Sequence, residues 1–269
     1  MSVRKRPIGW WWVALLGLTV LMGGCASTSP TTGGGTQAGR QDETEVQRRA
    51  RIRFDLAVAY YAQGQHATAL AEIRQALALQ PNLPGAHNLA GLIHSALGQD
   101  PQAEESFRIA MQQDGADANA IHNYGWFLCQ RRRYAEAFTQ FNRAIELPTY
   151  REVPRTLVAK GVCQANAGLL AEAEKTLSRA YQMDTGNPVA AMNLALVLYR
   201  QGEYERARFY VRRVNAVPEL VNAETLWLAA RIEHRLGNRG GVNEFGRELL
   251  QRFPQSREAA NFERGRFDD

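Results

Sequence analysis

The chain has 269 residues, 45% of them hydrophobic and 22% charged, and a formal net charge of +5. That is the composition of a globular protein, not of a disordered or fibrous one. Arg4, Lys5 and Arg6 supply three of the positive charges, so a chain without them carries only +2, and no nucleic-acid partner is expected.

In chain order, those three basic residues precede an apolar run over residues 8–22 and then Gly23-Gly24-Cys25. A charged start, an apolar stretch and small residues before a break are the parts of a secretory signal, so residues 1–24 are expected to be removed. The run of 15 residues falls short of the roughly 20 that a spanning helix needs. Leu21-Met22-Gly23-Gly24-Cys25 resembles a bacterial lipobox, with Met22 where leucine is usual, and methionine fills a similar apolar volume. The resemblance implies that Cys25 is acylated with palmitate-type chains and becomes the first residue. Ala26 is not the aspartate that resembles an inner-membrane retention signal. The implied destination is therefore the periplasmic face of the outer membrane of a Gram-negative bacterium. Residues 25–44 are rich in Ser, Thr, Gly, Pro and Gln and read as a flexible tether. Its root-mean-square reach is on the order of 25 Å.

From residue 45 onward the sequence repeats itself, and an all-α tetratricopeptide-repeat (TPR) superhelix is expected over 45–269. A helical hairpin repeat needs small residues where its helices cross, large apolar residues in the gaps, and a breaker after the second helix. The first copy, near 50–83, has Leu56-Ala57, Tyr60, Gly64, Ala69, Ile73, Ala76 and Pro81. Later copies lie near 84–117, 118–151, 154–187, 188–221 and 223–256, a start-to-start spacing of 34, 34, 36, 34 and 35. The residues between Pro148 and Pro154 lengthen one inter-repeat loop. Thr44 with Gln47 forms a capping box for the first helix. Gly64, Gly98, Gly168, Gly202 and Gly237 mark turns inside the hairpins. The cluster Arg131-Arg132-Arg133 reads as a solvated helix end. A short last helix over 256–263 would cover the end of the stack.

No catalytic constellation stands out. The histidines form no His-Glu-x-x-His set, and there is no Gly-x-Ser-x-Gly or phosphate-cradling loop. His87 and His94 stand seven apart on one helix, and a solvated or packed pair outweighs a metal site. No enzyme activity, cofactor, metal or small-molecule substrate is expected. Cys129 and Cys163 fall on the first helices of adjacent repeats. They either form a disulfide, which an oxidising compartment permits, or remain two buried thiols.

Function is then expected in a protein-binding groove. Repeat positions 2, 5, 9, 12 and 13 turn toward the concave side, which selects Phe54, Tyr61, Asn88, Leu92, His122, Trp126, Val162, Met192 and Tyr199. Neighbouring first helices also touch, so part of this set belongs to the core. The lining is apolar and aromatic, suited to an amphipathic helix or an extended apolar segment. Trp126 is the leading anchor, because position 9 does not require a large residue.

The stretch His122-Asn123-Tyr124-Gly125-Trp126-Phe127-Leu128-Cys129, followed by Arg133-Tyr134-Ala135-Glu136-Ala137, resembles the third repeat of the type IV pilus biogenesis and stability lipoproteins, the PilF/PilW family. Leu198-Tyr199-Arg200-Gln201-Gly202-Glu203-Tyr204 in the fifth copy and the order lipobox, tether, six repeats are similar to it too. The resemblance implies a pilotin: a membrane-tethered adaptor that binds the pilus secretin subunit and helps it localise or assemble. The alternative is a repeat lipoprotein that scaffolds peptidoglycan enzymes or outer-membrane protein assembly.

Overall fold

The structure, a computed structural model, describes residues 44–267, all within one compact unit, Glu43–Asp269. Cys25, the signal and the tether up to residue 43 lie outside the described residues. Thirteen α-helices and no strand occur among the described residues. They pair as hairpins: α1 (Glu45–Ala62) with α2 (His66–Leu79), α3 (Ala86–Ala96) with α4 (Asp100–Gln113), and α5 (Ala118–Gln130) with α6 (Tyr134–Glu146). Then follow α7 (Val153–Asn166) with α8 (Leu170–Met183), α9 (Pro188–Gln201) with α10 (Tyr204–Asn215), and α11 (Ala223–Arg235) with α12 (Arg239–Arg252). A 3-10 turn, Pro218–Leu220, links the last two pairs, and α13 (Arg257–Glu263) closes the series. This is the expected TPR superhelix.

The hairpins hold because small and large residues meet at fixed register. A Cβ on Gly91 would stand 2.7 Å from the Phe107 ring, and one on Gly125 3.0 Å from Phe141. At Gly161 it would lie 2.5 Å from Leu177. In each pair the partner follows sixteen residues later, on the second helix. The same sixteen-residue spacing separates Ala57 from Ile73 and Ala195 from Val211, where alanine stands in place of glycine. All four of these side chains are buried. Close packing leaves no spare volume here, and an extra methyl at Gly91 costs about 1–3 kcal/mol.

The ends of the helices follow local chemistry. Thr44 Oγ1 accepts from the Gln47 N–H (3.2 Å), and Gln47 Oε1 accepts from the Thr44 N–H (2.9 Å), completing the capping box. The fifteenth residue of every repeat takes a left-handed conformation that joins the two helices. Glycine does so five times, at φ of 70° to 83°, and in the third repeat Arg132 does so at φ 59°. Its neighbours are not a solvated end. Arg131 makes a bidentate pair with Asp100 (2.7 and 2.6 Å), and Arg133 bridges Glu136 (2.7 Å) and Glu104 (2.7 Å). These pairs tie the third hairpin to the second.

The last three hairpins share the broadest core cluster with α13. Inside it Glu233 accepts from Arg212 (2.7 Å), Arg208 (3.0 Å) and Asn238 (2.8 Å). Burial alone would raise its pKa. Hydrogen bonds from Arg212 and Asn238 and the two guanidinium charges outweigh that and hold the carboxyl below its usual range. Ser256 caps α13 by accepting from the Ala259 N–H (3.0 Å). Phe262 of α13 then lies over Gly246, and Phe267 stacks on Trp227 and His234 with centroids 5.3 and 4.2 Å apart.

Candidate partner-binding groove

The first helix of each hairpin lies beside the first helix of the next, from α1 to α3, α5, α7, α9 and α11. Position 9 of the repeat falls on their shared open side. Between the first three hairpins this side holds a cavity of about 310 Å³, lined chiefly by Tyr61, Leu92, Phe107, Asn123, Trp126 and Phe127, with Ser95, Ala96 and Gln130 at its rim. Three of the sequence-predicted residues, Tyr61, Leu92 and Trp126, therefore meet at one place. All three are half-buried: each has a face packed and a face open. Burial pushes the Tyr61 phenol pKa up, so it stands there as a neutral hydrogen-bonding group. A cavity of mixed lining, aromatic rings beside amide and hydroxyl groups, suits a bulky side chain that also carries a hydrogen-bonding group.

A polar strip borders the cavity. Asn123 Nδ2 donates to Asn88 Oδ1 (3.0 Å), and Arg155 reaches Asn119 Oδ1 and Asn123 Oδ1 at 3.4 and 3.5 Å. Asn88 does not line the cavity itself and is held by Asn123, which does. Beside the cavity Cys129 and Cys163 are bonded as a disulfide, with Cα atoms 5.8 Å apart, clasping α5 to α7. Cys129 follows Trp126 by one helical turn, and Cys163 follows Val162 directly.

The other expected groove residues are scattered. His122 and Tyr199 are corrections: they are only 5% and 8% exposed, and both belong to the interior. His122 Nδ1 shares a hydrogen bond with Thr156 Oγ1 (2.8 Å), which Tyr150 from the long inter-repeat loop also reaches (2.6 Å). Arg231 of the next repeat covers the Tyr199 ring at 4.7 Å. Met192 lines a separate cavity of about 280 Å³ with Pro188, Val189 and Leu220. Phe54 is half-buried against the core of the first two hairpins, and Val162 is half-buried on α7. His87 and His94 are engaged locally, His87 Nε2 with the Pro81 carbonyl (3.1 Å) and His94 Nδ1 with Gln99 Oε1 (2.6 Å).

Sequence reasoning missed Phe107, Phe127 and Asn123 as lining residues. Phe107 comes from a second helix and reaches the cavity floor only because Gly91 lets it through. Asn123 sits at repeat position 6, one residue off the positions used for the groove.

Comparisons with known proteins agree with this architecture. Family profiles described as TPR repeat and tetratricopeptide repeat match residues 57–98 and 128–188, and one described as anaphase-promoting complex subunit 3 matches 166–238. The Pseudomonas aeruginosa type IV pilus assembly protein PilF is 25% identical over 98% of this chain and 99% of its own. The solved structure of that organism's PilF covers 82% of the chain with a TM-score of 0.68. The crystal structure of PilW, a type IV pilus biogenesis factor, is 31% identical, covers 79% of this chain and 97% of its own, and has a TM-score of 0.73. On that identity and coverage, with six hairpins in register, the chain belongs to the PilW family of type IV pilus biogenesis factors.

Proposed function

We propose that the chain is a lipid-anchored adaptor at the periplasmic face of the outer membrane, holding a segment of the pilus secretin in the groove between its first three hairpins. Residues 1–24 act as the signal, Cys25 carries the acyl chains and 25–44 tether the repeat array. Two acyl chains or more are needed, because one alone gives only marginal membrane binding. The observation that carries the reading is the convergence of Tyr61, Leu92 and Trp126 on one open cavity. Membership of a pilus biogenesis family and the lipobox-like run ending at Cys25 support it. A secretin subunit has apolar surface to shield before it assembles, and a tethered groove with aromatic walls would cover part of it by burial. The role is binding, with no bond made or broken.

The test pairs affinity with stability. Trp126→Ala should weaken binding of purified secretin about thirtyfold, the loss of roughly 2 kcal/mol expected for an aromatic anchor. Because Trp126 is half-open, its melting temperature should move far less than that of a core truncation. Tyr61→Ala, on the opposite wall, should weaken binding in parallel. Unaltered secretin binding by both folded variants would remove the groove from the mechanism. A wild-type protein that binds no secretin, in cells whose pili are normal without it, would favour the scaffold alternative.

A further inference from the structure

The two ends of the repeat array differ. In repeats two to six the third residue of the repeat is Ala86, Ala120, Thr156, Ala190 or Thr225, and these are 0–3% exposed. The tenth residue, Ile93, Phe127, Cys163, Val197 or Ile232, is buried in all five as well. This face of a first helix packs on the preceding hairpin, and α1 has none before it among the described residues. Its corresponding residues, Ile52 and Ala59, are open to solvent, Ile52 at 52%, and Leu56 between them is 37% exposed. A terminal repeat normally turns a polar surface outward, as α13 ensures at the far end. At the near end large aliphatic side chains stay in water.

What covers them can be argued from charge and from chain length. Arg48, Arg49 and Arg51 are exposed on α1 around Ile52, against the two carboxylates Glu45 and Asp55, which leaves these exposed residues a net charge of +1. Arginine stems lie along an apolar boundary while their heads reach phosphate. The tether cannot serve as the cover, since residues 26–43 contain no aliphatic residue larger than alanine and proline. It does set where α1 stands: twenty residues separate Cys25 from Glu45, a reach on the order of 25 Å. On the lipid-anchor reading given above, on which this inference rests, α1 is the first folded element that meets the bilayer.

We propose that the exposed face of α1, with Ile52 and Leu56 flanked by Arg48 and Arg49, lies on an anionic phospholipid surface. The anchor supplies local concentration, the arginines choose the anionic headgroups, and the aliphatic side chains enter the boundary region. Tyr61, the α1 residue that lines the Trp126 cavity, stands nine residues beyond Ile52 and so on the opposite side of the helix, which leaves the cavity open when this face is docked.

The test uses the full lipidated protein in nanodiscs of phosphatidylcholine, alone or mixed equally with phosphatidylglycerol, read by hydrogen exchange. Amides of residues 48–56 should exchange severalfold more slowly in the phosphatidylglycerol discs, with α13 unchanged as an internal standard. High salt should erase the difference, and so should the double variant Arg48→Glu, Arg49→Glu, whose exposed positions leave the melting temperature unchanged. Equal exchange in the two disc types from an acylated protein overturns the proposal. Protection that instead appears in detergent and grows with protein concentration assigns the face to a second copy and overturns it as well. A protein that carries no acyl mass defeats the anchor reading itself, and this inference falls with it.

Discussion

Tyr61 and Tyr199 are the same residue at the same position, the twelfth of repeats one and five, and they meet opposite fates. Tyr61 stays half-open and lines a cavity with Leu92 and Trp126. Tyr199 is covered: the Arg231 guanidinium sits 4.7 Å over its ring, Tyr204 packs at 5.5 Å, and Arg235 approaches its hydroxyl at 3.5 Å. The difference lies in what the following repeat presents. Repeat two offers small residues, Ser95 and Ala96, beside Tyr61, whereas repeat six offers a long cation. The two ends therefore differ in packing at this position: repeat two leaves Tyr61 half-open, and repeat six covers Tyr199.

The largest effect that sharpens this contrast is on stability. Tyr199→Ala should cost about 3 kcal/mol or slightly more, as expected for emptying an aromatic site in a core. Tyr61→Ala should cost about half as much, since one face of its ring is already in water. Urea unfolding of the two variants measures both values. Equal costs would mean that the early groove is as closed as the late one. Secretin binding should respond in the reverse order.

His122 marks where the groove closes, and pH tests that boundary. Burial, with the nearby Arg155 charge adding, pushes its pKa from 6.5 down to about 4. The folded protein keeps His122 neutral while the unfolded chain takes up a proton below about pH 6.5, so acid favours unfolding. The stability tied to His122 is complete above pH 6.5 and declines as the pH falls toward 4. At 1.36 kcal/mol per unit the loss approaches about 3 kcal/mol. His122→Gln retains a partner for Thr156 without the titration. The stability difference between wild type and variant, followed from about pH 7 to pH 4, should therefore shift by about 3 kcal/mol in favour of the variant. A pH-independent difference would place His122 in contact with water and reopen the groove at the third repeat.

Most of the fold was legible in the residues, because helical repeats write their rules locally. Thr44 with Gln47 predicts a cap from two residues on one turn, and Gly64, Gly98, Gly168, Gly202 and Gly237 predict turns from their own lack of a side chain. The site was legible only in part. Periodicity says which way a residue faces on its own helix, and it found Tyr61, Leu92 and Trp126. It does not say what the next repeat lays over that face, so Tyr199 and His122 were placed in the open. Arg231 lies thirty-two residues beyond Tyr199, and the Thr156 partner of His122, itself bonded to Tyr150, comes from the helix after the irregular loop. The pairing of Cys129 with Cys163 stayed undecided for the same reason. Spacing put them on neighbouring helices, and only the helix register brings their Cα atoms to 5.8 Å.

The smallest expected effect concerns Arg132, at the seam between the cavity-bearing helix α5 and its partner α6. Five sister positions carry glycine in the left-handed conformation, and Arg132 holds it at φ 59° with its side chain exposed. An L-residue with a Cβ strains there by roughly 1–2 kcal/mol. Glycine would remove that strain but makes the unfolded chain more flexible, at a cost of about 0.5–1 kcal/mol. The balance predicts that Arg132→Gly stabilises the protein by about 0.5 kcal/mol, visible as a higher urea midpoint with an unchanged slope. The mirror substitution, Gly168→Arg in the next repeat, should destabilise by a similar amount, since no heavy atom lies within 4 Å of its missing Cβ and only backbone strain is at stake. If Arg132→Gly is instead destabilising while Gly168→Arg behaves as stated, backbone strain is not what distinguishes the third turn. The arginine side chain would then contribute to holding α5 and α6 together, beside the pairs Arg131 and Arg133 make with Asp100, Glu104 and Glu136.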